Sequence, residues 1–124
     1  MTAERRIALR EDYIQGWYRL DIDLLLATTA PNFTFDDPAE PAAVERDDLG
    51  DYMQRWDRRM RALGGTNQWR LTHELRRDEN GILTDWEWWE VVGTSVQGSA
   101  LVLTGDDGVL LERITYFDRT LRYP

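Results

Sequence analysis

A carboxyl group at the end of a short apolar strand, fixed there by proline, gives this chain its first means of doing chemistry: Asn32-Phe33-Thr34-Phe35-Asp36-Asp37-Pro38. Phe33 and Phe35 alternate with Thr34 and Asp36, the period of a strand with one buried face. Pro38 cannot donate to a ladder and holds Asp37 extended, so the strand stops with a carboxyl at its mouth. Turned back against the two Phe rings, Asp37 loses water, its pKa rises, and it becomes a base for a proton on a carbon next to a carbonyl. Asp-Asp-Pro is also ordinary turn chemistry, in which Asp37 is a solvated turn residue.

Other residues gain meaning from that strand. Tyr13 and Trp17 are four apart and share a helix face, so a phenol and an indole lie side by side. Tyr13 is then placed either to donate to a developing enolate oxygen or to fill the core with its hydroxyl at the rim. Asp118, in Tyr116-Phe117-Asp118, is a second acid or base, or a strand-end partner of Arg119 or Arg113. Trp86 and Trp88 share one strand face and suit a flat apolar ligand, or simply pack. His73 is the single histidine and makes no metal site without carboxylates from elsewhere. Phosphate loops, HExxH and a Ser-His-Asp order are absent, so neither a nucleotide nor a metal cofactor is expected.

The elements that must position these groups follow from periodicity. Thr2 caps a helix from Ala3 to about Leu20, and Asp21 caps a second toward Thr28, which Pro31 ends. The strand Phe33 to Asp36 comes next, and Pro38 to Glu45 reads as a loop over a pocket entrance. Asp47 or Asp48 caps a third helix whose stripe of Leu49, Tyr52, Met53, Trp56, Met60 and Leu63 ends at Gly64-Gly65. Thereafter the period is two. Trp69, Leu71, His73 and Leu75 share one strand face, Asn80-Gly81 makes a hairpin, and strands follow over Ile82 to Val92, Val96 to Thr104 and Val109 to Arg119. Helices first and long strands after predict an α+β fold, a curved antiparallel sheet wrapped on helices with a cavity at its wide end.

Composition bounds the rest. With 124 residues the chain suits one domain spanning 1–124. A net charge of −8, with every basic residue an Arg, argues against nucleic acid as a partner. Cysteine is absent, and no apolar run is long enough to span a membrane, so a cytoplasmic protein without membrane association is expected. Six Trp, five Tyr and three Phe fill a core or line a pocket.

The order helix, helix, F-T-F-D-D-P, helix and four long strands resembles the NTF2-like superfamily, within it the SnoaL-like polyketide cyclases and the ketosteroid isomerases. The resemblance implies a cone-like α+β barrel of cystatin-like type and a homodimer through the outer sheet face. For the isomerases it implies Asp37 as general base and Tyr13, 24 residues earlier, as oxyanion donor. Their second donor, an Asp, corresponds here to Ala100, so that donor is missing. For the cyclases it points to Asp118, while Ser95 follows Gly93-Thr94 where that branch carries a His.

The expected function is a cofactor-independent isomerase, cyclase or dehydratase acting on a small apolar carbonyl compound, polyketide- or steroid-like. Asp37, Tyr13 and Asp118 carry the chemistry; Trp17, Phe33, Phe35, Trp56, His73, Trp86, Trp88, Ala100 and Tyr116 line the substrate site. Two alternatives stay open. One is a domain that only binds a small ligand or associates; the other is an epoxide hydrolase, for which an Asp-Arg-Asp set is not apparent.

Overall fold

A computed structural model describes residues 2–65 and 69–118. The Asp118 side chain and the expected end of the last strand at Arg119 lie outside the described residues. Thr2 caps α1 (Ala3–Arg19) by accepting from the Arg5 amide, and Asp21 caps α2 (Ile22–Thr28) by accepting from Leu24. Pro31 does not end α2. The hydroxyls of Thr28 and Thr29 bond back to the carbonyls of Leu25 and Leu26, and β1 (Thr29–Asp36) starts at once. Pro31 sits inside β1 where the pairing register shifts between Thr29 and Thr34, a stretch in which a missing N–H is tolerated.

The segment after Pro38 returns to pair with β1 as β2 (Val44–Glu45), and a 3-10 turn over Arg46–Asp48 leads into α3 (Leu49–Ala62). Asp48 holds the N-cap position without a side-chain hydrogen bond. Gly64 then takes φ 90° and stops the helix, as its lack of a Cβ permits. The four long strands are β3 (Trp69–Glu79), β4 (Ile82–Val91), β5 (Val96–Gly105) and β6 (Gly108–Asp118). Asn80 and Gly81 both have positive φ, as the tight hairpin between β3 and β4 demands.

These strands make one curved, open sheet in the order β2-β1-β6-β5-β4-β3. The expected antiparallel sheet carries one exception. β1 pairs with β6 in parallel, because the rest of the chain separates them and supplies the long crossover a parallel pair needs. The helices cover the concave face. There Tyr13, Trp17, Phe33, Phe35, Tyr52 and Trp89 pack into a common core.

Two expected faces are inverted. In β4 the buried residues are Leu83, Asp85, Glu87, Trp89 and Val91, so Trp86 and Trp88 face away from the helices, Trp86 being 39% exposed. In β3 the register shifts between Leu71, opposite Trp89, and His73, opposite Trp88. One extra residue turns all that follows to the other face, so Trp69 and Leu71 lie inside while His73 and Leu75 lie outside.

Candidate active site

Between α1, α3 and the concave sheet lies a cavity of about 50 Å³. Its walls are aromatic: Tyr13 and Trp17 from α1, Phe35 from β1, Tyr52 and Trp56 from α3, Trp69 from β3 and Trp89 from β4. Ile14 and Ile114 complete the apolar lining. Set into it are Arg10, Glu87 and Glu112. Arg10 and Tyr13 are three apart and share the buried face of α1. The strand period brings Asp85 and Glu87 inward on β4 together with Trp89.

The polar groups hold one another. The Tyr13 hydroxyl donates to Glu112 Oε1 at 2.6 Å. Arg10, 2% exposed, forms an ion pair and hydrogen bond with Glu87, and its Nε lies 3.6 Å from Asp85 Oδ2. Asp85, wholly buried, accepts from Arg76 Nε at 2.6 Å, and Arg76 reaches on to Glu11 at 2.9 Å. Three carboxyl groups thus surround Arg10 in apolar material. Burial pushes Glu87 up to about 7 against the pull of Arg10. Burial likewise raises Glu112, opposed by Arg10 and the Tyr13 hydrogen bond. For Arg10 burial acts downward, but Glu87, Glu112 and Asp85 outweigh it and secure the charge. Tyr13 is held well above the usual phenol range by burial and then by Glu112, so it stays a donor.

Asp37 has a different setting. Its side chain is buried, and Oδ2 accepts from the hydroxyls of Tyr52 at 2.6 Å and Tyr116 at 2.8 Å. Arg59 Nη2 lies 3.5 Å from the same oxygen, and Oδ1 accepts from the Ala39 amide at 2.8 Å. The Ala39 bond is the turn chemistry that Asp-Asp-Pro allowed. Burial, with Asp37 adding to it, raises both phenols above their ordinary range, so both remain donors. Asp37 is not a wall of this aromatic cavity; it borders a separate hollow of about 380 Å³ with Asp36, Pro38, Ala42, Ala43 and Arg113.

Of the residues picked from the sequence, the structure brings Tyr13, Trp17, Phe35 and Trp56 to the cavity. Phe33 packs against Tyr13 at 5.9 Å between ring centres, Ala100 is buried on β5, and Tyr116 accepts from Trp56 Nε1 at 3.2 Å. Tyr13 and Asp37 do not form a pair: Tyr13 donates to Glu112, while Asp37 accepts from Tyr52 and Tyr116. His73, Trp86 and Trp88 are placed on the outer face by the β3 bulge and the β4 parity, away from the cavity. Sequence reasoning missed Arg10, Glu87 and Glu112. Two signals pointed to them: Arg10 stands one helical turn before Tyr13, and Glu112 shares strand parity with Ile114 and Tyr116.

Among the described residues, one group of carboxylates is close enough to share a cation: Glu74, Asp85 and Glu87. Arg10 and Arg76 already neutralise its two buried members, which leaves little for a metal to gain. Among the described residues no helix is long and apolar enough to cross a membrane.

No protein-family model and no curated protein matches the chain. Solved structures do. An NTF2-like protein from Cytophaga hutchinsonii is similar with a TM-score of 0.71 at 11% identity, over 94% of this chain and 100% of that one. A candidate ketosteroid isomerase from Kribbella flavida gives 0.65 at 14% identity, over 98% and 84%. A candidate polyketide cyclase from Xanthomonas campestris gives 0.61 at 16% identity, over 91% and 89%.

Proposed function

We propose that this chain, whose fold is NTF2-like, is a cofactor-independent enzyme that moves a proton on a small apolar carbonyl compound, as an isomerase, cyclase or dehydratase does. The observation that carries the reading is the 2.6 Å hydrogen bond from Tyr13 to Glu112 inside an aromatic cavity. Glu112 is the base, its affinity for a proton raised by burial. It takes a proton from the carbon next to the substrate carbonyl, leaving an enolate, and returns it to another carbon. Tyr13 orients the carboxyl and, once Glu112 is protonated, is free to donate to the substrate oxygen. Asp37 moves from base to positioning residue, fixing Tyr52 in the cavity wall and Tyr116 beside Trp56. The likeness to a candidate isomerase and a candidate cyclase supports this general class.

The cavity favours a compound at the small end of the expected range. Its 50 Å³ compares with about 150 Å³ for an engineered cavity that admits benzene. A polyketide- or steroid-sized ring system enters only if the aromatic walls move.

A specific observation favours epoxide hydrolysis as a second reading: Arg10 between Asp85 and Glu87 forms an Asp-Arg-Glu set, in place of the Asp-Arg-Asp set not apparent in the sequence. Glu112 would take a proton from water as its oxygen attacks one oxirane carbon. The C–O bond breaks, and Glu87, half protonated near neutrality, protonates the leaving oxygen. We further propose a homodimer through the outer face, where Leu75 is 61% and Trp86 39% exposed. A monomer by sedimentation at micromolar concentration contradicts that assembly.

The test is deuterium exchange from D2O into the α-positions of butanone, with epoxide opening followed in parallel. Exchange above buffer that Glu112→Gln removes supports proton transfer. Diol formation without exchange selects the second reading; binding with neither reaction leaves a ligand-binding domain.

A further inference from the structure

Three buried N–H donors on residues that line this cavity have no hydrogen-bond acceptor among the described residues: Nε and Nη1 of Arg10, 2% exposed, and Nε1 of Trp17, 8% exposed. Arg10 Nε at least faces Asp85 Oδ2 at 3.6 Å, which leaves Nη1 and the indole. The Trp17 indole lies near enough to the Tyr13 oxygen to favour its anion slightly, yet outside hydrogen-bond geometry. Buried donors are rarely left unpaired, because each forfeits its hydrogen bond to water. Two of them on one small cavity call for an oxygen acceptor from a ligand.

The surrounding charge decides which kind. Glu87, Asp85 and Glu112 act on Arg10, and among the described residues only one further cation, Arg76, faces them, through Asp85. Glu74 stands close to Asp85 and Glu87 as well. Carboxyls therefore outnumber guanidiniums. A ligand carboxylate or phosphate would add negative charge to a site that already carries an excess, with little water to screen it. A carbonyl or epoxide oxygen accepts the same hydrogen bonds without that repulsion.

We propose that Arg10 Nη1 and Trp17 Nε1 form a subsite for an uncharged oxygen acceptor, and that the acidic groups behind Arg10 exclude carboxylates and phosphates of the same shape. The inference rests on the substrate occupying this cavity, as the proposed function requires, and it fixes the charge class of that substrate. Exclusion weakens as Glu87 takes up its proton. The groups facing Glu87 are Arg10 and Tyr18 from α1, Glu74 from β3, Asp85 on its own strand and Glu112 from β6. Burial sets that protonation near neutrality.

The experiment is an NMR titration of the indole N–H signals with butanone, propionate and isopentane, three ligands of nearly equal shape. Butanone is expected to bind and shift the Trp17 signal, while isopentane binds without that shift. At about pH 8 propionate should bind at least about tenfold more weakly than butanone, and it should recover toward about pH 6. Trp17→Phe, which keeps a ring and loses the donor, should weaken butanone about fivefold and leave isopentane unchanged. Glu87→Gln should bring propionate close to butanone at the higher pH. Equal binding of propionate and butanone by the wild-type protein at about pH 8 overturns the proposal, as does a Trp17 signal that butanone leaves in place. Selective butanone binding without deuterium exchange upholds the subsite and removes the proton-transfer function. Exchange accompanied by equal propionate binding does the reverse.

Discussion

Asp37 and Glu112 each accept a tyrosine hydroxyl at 2.6 Å, from Tyr52 and Tyr13 respectively, yet they are built for different work. Asp37 also takes Tyr116, the Ala39 amide and a long contact from Arg59; its side chain is fully buried, although the residue borders a second hollow together with Pro38, Ala42, Ala43 and Arg113. Glu112 receives one hydrogen bond among the described residues and faces an aromatic cavity. A carboxylate whose lone pairs are filled by fixed donors holds structure together. One with an open face can exchange a proton. Having a carboxyl beside a phenol does not separate the two cases; the number of donors and the access do.

The largest expected effect on stability tests the closed half of this pair. Asp37→Ala strips the acceptor from two phenols and the ion partner from Arg59, and should destabilise the fold by about 3 kcal/mol in urea unfolding. A loss under about 1 kcal/mol would show the hub to be dispensable.

The open half should announce itself in pH dependence. Glu87 has its pKa raised from 4.5 to about 7 in the folded state, so between these values the native protein binds more protons than the unfolded chain. Stability from this group is complete below the lower value and is lost as pH rises through the upper one, by about 3 kcal/mol. Glu112, raised in the same direction, adds to the fall. Glu87→Gln should shrink the decline by its share, and a decline as steep as wild type would remove Glu87 from the cluster's titration.

Tyr13→Phe removes a single hydrogen bond and should lower stability by about 1 kcal/mol while slowing deuterium exchange more than it weakens butanone binding. The smallest effect belongs to the outer face. Trp86→Ser should change monomer stability by no more than about 0.5 kcal/mol and leave exchange intact, its consequence confined to subunit association. An equal loss of exchange would mean that the two sheet faces are coupled.

Local chemistry was readable in the sequence where neighbours in the chain decide the outcome. The caps at Thr2 and Asp21, the stop at Gly64 and the Asn80-Gly81 hairpin depend on a few adjacent residues. The NTF2-like arrangement followed from their order. Strand faces were harder. The sequence puts rings on both faces of β4 and favours Trp86 and Trp88 as a ligand-facing or packing face, whereas the structure turns those two away from the helices and buries Asp85 and Glu87 instead. Two acids are buried on β4 because Arg10 arrives from α1 and Arg76 from β3, contacts that strand periodicity does not encode. The register shift after Leu71 likewise turned His73 outward although its alternation with Leu71 was unbroken in the sequence. Asp37 drew attention through its motif, whereas Glu112, between Leu111 and Arg113, belongs to no motif.

The decisive measurement is butanone deuterium exchange in Glu112→Gln set beside Asp37→Asn, each corrected for folded fraction. If Glu112 is the base, Glu112→Gln loses about 10²- to 10⁴-fold, the range for general base catalysis, while Asp37→Asn stays within about tenfold of wild type. Exchange that survives in Glu112→Gln and disappears in folded Asp37→Asn would return the chemistry to the strand end at Asp37.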